Sequence, residues 1–419
     1  MVQAIRSMRT VLPEDAPRWQ LVEKAMISRL GAFGYDEVRL PLLEFTELFS
    51  RGVGEATDIV EKEMYTLEDR DGESIALRPE GTAGCVRALN DAGLLFNQTQ
   101  RVWYSGPMFR YERPQRGRYR QFYQIGTEAF GFAGPDIDVE LILLARDCWV
   151  QLGIADHVQL ELNTLGNREA RLAYREALVD FLMPHVDELD EDSRRRLTTN
   201  PLRILDSKVD RTRELLVGAP NLPDFVDPES RAHFERLCEL LTEQEVGFVV
   251  NPALVRGLDY YTHTVFEWTT EHIGAQSTIC AGGRYDGLVE TLGGRPTPAA
   301  GFGMGVDRVV LLHEAVYPDW SQQGVDVYCC LRSDAQLGWA LSVTEALRLA
   351  GIRVRMHGGG GKLKNQFKRA DASGARWALV IGEQEQQARE VAVKPLRGGE
   401  QQTMSVESLV SHIQQELGN

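Results

Sequence analysis

SGPMFRYERPQRGRYRQFYQIGTEAFG, residues 105–131, reads as two antiparallel strands joined by a loop laden with arginine. Its arginines are Arg110, Arg113, Arg116, Arg118 and Arg120. Side chains along a strand alternate between faces, so the second strand presents Phe122, Gln124, Gly126 and Glu128 on one surface. An aromatic ring, an amide, a gap and a carboxylate make a poor apolar core. They make a good floor for a polar ligand, with Gly126 leaving room for that ligand to approach the backbone. The other face, with Tyr123, Ile125 and Ala129, suits packing. On the first strand Arg110 and Glu112 share a face, while Phe109 and Tyr111 take the opposite one. A solvent-exposed hairpin with idle arginines is the rival reading, and it leaves Phe122 and Gly126 among the charges unexplained.

Around this hairpin, the chain of 419 residues is long enough for two or three domains, each with its own core. Its 43% hydrophobic and 26% charged residues are those of an ordinary globular protein. No apolar run reaches the roughly 18 residues of a membrane span, and no apolar segment follows Arg6 and Arg9 as in a leader, so a cytoplasmic location is expected. The Cys at 85, 148, 238, 280, 329 and 330 form no CxxC pair and suit buried thiols better than disulfides or zinc. A net charge of −15 excludes indiscriminate binding of nucleic acid by the whole surface. From Val325 onward, however, 12 Lys and Arg stand against 10 Asp and Glu, whereas the rest of the chain carries 34 against 51. A near-neutral, locally basic module on an acidic body is compatible with a polyanion gripped at chosen places.

Trp19, Val22, Met26, Leu30 and Phe33 recur at helical spacing over residues 17–33, with Gly31 and Gly34 as stops. The strand expected next, Glu37 to Leu40, runs into Pro41, which cannot donate to a ladder and so puts the strand at a sheet edge or an interface between chains. Asp69, Arg70, Asp71 and Gly72 between two β-prone runs signal a hairpin, and RPEGTAG (78–84) opens a short helix. After the strand LELNTL (160–165), charged, helix-forming sequence continues to about Val249 and reads as an inserted helical subdomain. Its RRRL at 194–197 reads as a solvated helix face. Strands resume at Phe248, at 264–268 and at 278–281. From about Gly324, a strand, a helix over 335–350, a strand, a glycine loop, a helix over 362–372 and further strands alternate as an α/β sandwich.

GFGMGVDRVVLLHEA (301–315) is a glycine-spaced strand entering a helix that is apolar nearly all round, and such a helix must be buried. Arg308 in its first turn opposes the helix dipole, so it calls for an anion, from a ligand or from a neighbouring carboxylate. LVRGLDYYTHTVFEW (254–268) brings Arg256, Asp259, Tyr260 and Tyr261 to the mouth of a strand, and CAGGRYDGLVETLGG (280–294) puts Tyr285 in a glycine-rich turn. HGGGGKLKNQFKRAD (357–371) is no P-loop, because Leu363 follows Lys362 where Ser or Thr is required. A flexible loop before a basic helix, with Lys362, Lys364, Lys368 and Arg369, fits contact with an RNA backbone. Isolated histidines such as His157 and His233 read as ordinary surface or core residues.

Taken together, these segments resemble the histidyl-tRNA synthetase family of class II aminoacyl-tRNA synthetases. FRYERPQRGRYRQFYQ resembles motif 2, GFGMGVDR motif 3, and the strand from Glu37 to Pro41 with its preceding helix motif 1, the dimer motif. LVRGLDYY and AGGRYDGL resemble the two signatures peculiar to this family. The likeness runs from AIRSMR to the tail, with Ser7 where the family often has Gly. It implies an α+β fold, an antiparallel sheet flanked by helices, with core segments 1–165 and 250–322, a helical insertion at 166–249 and an α/β anticodon-binding domain at 323–419. The implied reaction joins histidine to tRNA(His) through histidyl-adenylate, in a homodimer, with ATP as substrate and Mg²⁺ accompanying it on no named protein ligand.

The resemblance also implies roles. Arg110 and Arg256 bracket the α-phosphate as catalytic residues, Arg256 doing what a metal ion does in related enzymes. Arg118 and Arg308 hold the outer phosphates, Phe122 stacks on adenine and Glu112 binds its exocyclic amine. Glu80, Thr82 and Gln124 take the ammonium of histidine, Glu128 and Tyr261 its imidazole nitrogens, and Tyr260 and Tyr285 complete the pocket. Arg113, Arg116, Lys362, Lys364, Lys368 and Arg369 are expected at the tRNA. The chemistry agrees, since attack of a carboxylate on the α-phosphate builds charge on phosphoryl oxygens, which cations stabilise without a protein nucleophile. Two rivals are a histidine-sensing regulatory paralogue and a class II synthetase for another amino acid. Sensors of that kind typically lose the tail and the motif arginines, which this chain keeps, and LVRGLDYY with Glu128 speaks against the second.

Overall fold

Trp19, Val22, Met26 and Leu30 form the buried stripe of α1 (Ala16–Ala32), which runs past Gly31 and releases the chain through Gly34 at φ 74°. The computed structural model describes residues 2–54, 57–205, 207, 209–274, 278–321 and 324–418. It divides into two compact units, Met1–Trp320 and Ser321–Asn419. After α1, the expected strand is shorter than its pattern. Only Asp36–Glu37 (β1) is ladder, at the sheet edge that Pro41 requires. A small antiparallel sheet follows from β2 (Leu43–Phe45), β3 (Tyr65–Glu68) and β4 (Ser74–Leu77), with α2 (Thr46–Val53) between its first two strands. Asp69 closes its hairpin by accepting the N–H groups of Asp71 and Glu73, and Gly72 takes φ 83°.

The arginine-laden stretch is the expected hairpin. Following α3 (Thr82–Asp91), β5 (Gln100–Phe109) and β6 (Gln121–Phe130) pair antiparallel, and Ser7 supports their loop by accepting the N–H of Arg120 at 2.9 Å. Ser7 does so at φ 65°, a conformation that glycine adopts without steric cost. Next come α4 (Pro135–Gln151) and β7 (Gln159–Thr164), then an all-helical excursion of α5 (Arg168–Leu182), α6 (Glu191–Thr199), α7 (Asp210–Leu216) and α8 (Pro228–Glu243). Asn167, Asp190 and Asp227 cap three of these helices, and Leu178, Leu182, Leu189, Leu197 and Ile204 form a small core of their own. The chain returns through β8 (Phe248–Val250), β9 (Thr262–Thr269), β10 (Thr278–Arg284), α9 (Leu288–Thr291), β11 (Ala299–Gly305) and α10 (Val306–Val316).

These strands make one eight-stranded sheet, ordered β1-β5-β6-β11-β10-β9-β7-β8 and antiparallel except at its two end pairs. One face packs Ile125, Ala129, Phe266 and Phe302 against α1, α4, α8 and α10, whose Val306 and Val309 to Leu312 are all buried as the apolar pattern demands. The other face carries Tyr104, Phe130, Tyr261 and Tyr285 and opens into a cavity. The architecture is therefore the expected α+β one. Five of the cysteines are buried and Cys238 is half-buried, all as free thiols. Among the described residues, no helix is long and apolar enough to cross a membrane.

In the second unit, β12 (Val327–Leu331), α11 (Leu337–Leu349), β13 (Val354–Met356), α12 (Leu363–Ala372), β14 (Trp377–Ile381), α13 (Glu383–Ala388) and β15 (Glu390–Pro395) alternate as the sequence suggests. They continue into β16 (Gln402–Ser405) and α14 (Val406–Leu417), which, like α13, the pattern did not announce. The glycine loop is less free than its composition implies. His357 is buried and anchors it through contacts of 2.9 Å to the hydroxyl of Tyr328 and to the carbonyl of Gly360, while Gln366 donates to Gly361 at 3.0 Å. Lys362, Lys364, Lys368 and Arg369 beside it are exposed.

Candidate active site

A cavity of about 490 Å³ lies over the hairpin, walled by the 256–261 loop and the first turn of α10. At its deep end Glu80 receives the N–H groups of Thr82 and Ala83 at 2.7 and 2.8 Å, where the dipole of α3 favours a carboxylate. Burial nevertheless raises its pKa. Glu128 lies one layer lower, fully buried, and accepts from Thr82 Oγ1 at 2.8 Å, from Tyr104 Oη at 3.0 Å and from the Tyr285 hydroxyl. With hydroxyls around it and no basic partner among the described residues, burial pushes its carboxyl up to about 8. Tyr260 packs tilted against Tyr261 and edge-on against Tyr285, with ring centroids 4.8 and 5.6 Å away.

Glycines make this end possible. A Cβ at Gly301 of β11 would lie 1.9 Å from Glu128 Oε2, because the register sets the two residues opposite each other. Gly126 does not serve as expected: a Cβ there would lie 2.1 Å from the Tyr104 ring, and one at Gly81 equally close. The gap on the strand is thus filled by Tyr104, the cross-strand partner of Gly126, and not held open for a ligand. Alternation along one strand could not announce this, because the long loop between Phe109 and Gln121 leaves the register that pairs Tyr104 with Gly126 to the folded sheet.

The wide end is built from arginines. Arg110 donates to the Pro79 carbonyl at 2.8 Å, with its guanidinium 5.2 Å over the Phe122 ring. Although β5 stops at Phe109, Arg110 and Glu112 still share the cavity side as expected, 4.0 Å apart, and only the other pair divides, Phe109 being buried. Tyr111 is exposed beneath the Arg120 guanidinium, 3.6 Å away, and Glu112 turns inward to pair with Arg118. Arg256 pairs with Glu267 of β9. Arg308 donates to the carbonyls of Gly117 and Thr278 at 3.0 and 2.6 Å, and burial, then the charge of Arg118, lowers its pKa. Asp307 beside it, unanticipated, accepts the Tyr123 N–H at 2.7 Å and is pushed up to about 6 by burial.

Arg110, Arg118, Arg256, Arg308, Glu80, Thr82, Glu112, Phe122, Gln124, Tyr260 and Tyr261 all line the cavity, whereas Glu128 and Tyr285 lie beneath its surface. Arg113 and Arg116 are exposed on the hairpin loop. The inserted helices contribute more than the sequence suggested. RRRL is not a purely solvated face, since Arg196 reaches Asp58 at 3.0 Å, Arg195 approaches it at 3.7 Å, and Arg196 and Arg203 enter the cavity wall. Among the described residues no group of three or more His, Cys, Asp and Glu could hold a metal ion.

A model of histidyl-tRNA synthetases matches residues 7–309. The chain belongs to the histidyl-tRNA synthetase family. An anticodon binding domain model matches residues 326–416, so the second unit is the anticodon-binding domain of this family member. The apo histidyl-tRNA synthetase of S. aureus is 33% identical, with 99% of this chain and 100% of that one covered at a TM-score of 0.81. Two more distant structures show the shared fold alone. Histidyl-tRNA synthetase from Nostoc sp. PCC 7120 is 19% identical over 99% of each chain at a TM-score of 0.73. A protein described as an ATP phosphoribosyltransferase regulatory subunit/histidyl-tRNA synthetase, from Bacillus halodurans, is 24% identical over 88% of this chain and 96% of its own at 0.64.

Proposed function

We propose that this chain is a histidine–tRNA ligase that activates histidine with ATP as histidyl-adenylate and passes it to the 3′ end of tRNA(His). The observation that carries this reading is the convergence of Arg110, Arg118, Arg256 and Arg308, from separate segments, on a cavity whose other end is carboxylate and tyrosine. A polyphosphate fits the first end and an amino acid with a basic side chain the second. Arg110 and Arg256 flank the α-phosphate as charge develops on it, Arg118 and Arg308 take the outer phosphates, and Phe122 with Glu112 receives adenine. Glu80, Thr82 and Gln124 take the ammonium of histidine, and Glu128 with Tyr260, Tyr261 and Tyr285 its imidazole. A site that hydrogen-bonds both imidazole nitrogens rejects amino acids that leave those groups unpaired. Mg²⁺ accompanies ATP on phosphate oxygens, its common mode of binding.

Two assignments lie outside the cavity. Exposed Arg113, Arg116, Lys362, Lys364, Lys368 and Arg369 offer phosphate contacts for tRNA(His). Exposed Leu42, Leu43, Phe45 and Leu67 around the small sheet supply an apolar face for a homodimer, and the enzyme works in the cytoplasm. The Bacillus halodurans relative keeps a second reading in play, a histidine-binding regulatory subunit without catalysis. Histidine-dependent exchange of pyrophosphate into ATP separates them, since a sensor gives none and a synthetase of other specificity responds to another amino acid. Each unit has its own apolar core, so a chain ending at Trp320 is expected to keep this exchange. It should charge tRNA(His) poorly, with a shallower salt dependence because fewer phosphates are neutralised. Undiminished charging would remove the tail from tRNA binding.

A further inference from the structure

Glu267 of β9 stands directly across the antiparallel ladder from Glu161 of β7, on the same face of the sheet. Like charges in opposed positions destabilise a sheet, and the Glu267 side chain is only 14% exposed, so a carboxylate at this position has a local cost that fold alone does not explain. Both of its oxygens are engaged. One receives the guanidinium of Arg256, and the other accepts from Thr278 Oγ1 at 2.7 Å. Glu161 finds no such cation among the described residues and is satisfied by Asn251 at 2.6 Å and Thr269 at 3.2 Å. Thr278 in turn accepts Arg308 Nη1 on its backbone carbonyl at 2.6 Å. Arg256 and Arg308 enter the cavity from different parts of the chain, yet both are tied to the first residue of β10, one through Glu267 and one directly.

We propose that Glu267, braced by Thr278, is a positioning residue for adenylate formation, holding Arg256 at a set separation from Arg308 so that both guanidiniums meet one polyphosphate. The inference rests on the ligase reading above. An arginine side chain is long and rotamer-rich, and a cation stabilises a transition state best when its placement is settled before the reaction. The hold leaves Arg256 able to act, because a guanidinium carries five N–H donors, and its buried Nε has no hydrogen-bond partner among the described residues.

The test is steady-state histidine-dependent exchange for the full chain and for Glu267→Gln, Glu267→Asp, Arg256→Ala and the Glu267→Gln/Arg256→Ala double variant. Glu267→Gln, which keeps the shape and loses the charge, is expected to lower kcat about tenfold or more while the KM for histidine stays within about twofold. Glu267→Asp should recover part of that loss. The double variant should be no slower than Arg256→Ala, since Glu267 acts only through that arginine. A Gln variant within about twofold of the unaltered chain in kcat, or losses that multiply in the double variant, would overturn the positioning role. Absence of exchange in the unaltered chain would instead overturn the ligase reading and this inference together.

Discussion

Beneath the deep end of the cavity Glu128 sits among the hydroxyls of Thr82, Tyr104 and Tyr285 with its carboxyl pushed up to about 8, whereas at the wide end Glu112 pairs with Arg118, and Glu267, outside the lining, pairs with Arg256. Glu128 and Glu112 are both buried, so burial alone does not distinguish them. The neighbour does. A buried carboxyl without a cation bears the whole desolvation cost of ionising and holds its proton, ready to share one with a basic group. A buried carboxylate beside an arginine keeps that arginine in place and leaves its remaining donors for an anion. On the proposed ligase reading, one cavity receives an imidazole at one end and phosphates at the other.

Arg256→Ala strikes this contrast hardest. It is expected to lower the rate of adenylate formation by about 10² or more, the cost of one preorganised charge stabiliser, with histidine affinity changing far less. Presteady-state formation of adenylate measures it, and a rate near that of the unaltered chain would mean that the wide end does not work through its cations.

Gly126→Ala tests the deep end from below. The added methyl would meet the Tyr104 ring at 2.1 Å, so ring or strand must shift, for a loss of about 1–3 kcal/mol in chemical denaturation. ATP affinity, which depends on the other end, should hold. Unchanged stability would show that Tyr104 leaves the gap at no cost and that the floor is softer than described.

Glu128→Gln separates the ends by chemistry. It should weaken histidine binding by at least about 1 kcal/mol, as a charge-assisted hydrogen bond becomes neutral, while ATP binding is kept. Equal losses for both ligands would mark Glu128 as structural. Its pH signature is equally specific. The carboxyl rises from 4.5 when unfolded to about 8 when folded, so the folded chain binds the extra proton between those values. Its contribution to stability is full below the lower value and is lost as pH rises through the higher one. Denaturation of both chains across that window should show the Gln variant gaining on the unaltered chain as pH rises, and parallel curves would contradict the raised carboxyl.

Several of these features could be read from the chain alone because they follow from local periodicity. Alternation along 121–130 placed Ile125 and Ala129 in the core and Phe122 and Gln124 at the cavity, and the unbroken apolar turn at Val309 to Leu312 required a buried helix. Strand and helix alternation in the tail, and its basic stretch, were equally legible. Other features depend on which segments meet. Tyr104 fills the space above both Gly81 and Gly126, Arg196 and Arg203 reach the cavity from the inserted helices, and Glu267 holds Arg256 across eleven residues of chain. Periodicity says which way a side chain faces along its own strand or helix. Only cross-strand register and the packing of sequence-distant segments decide what it faces, and so whether a glycine admits a ring or a ligand, and whether a carboxylate keeps its proton or an arginine.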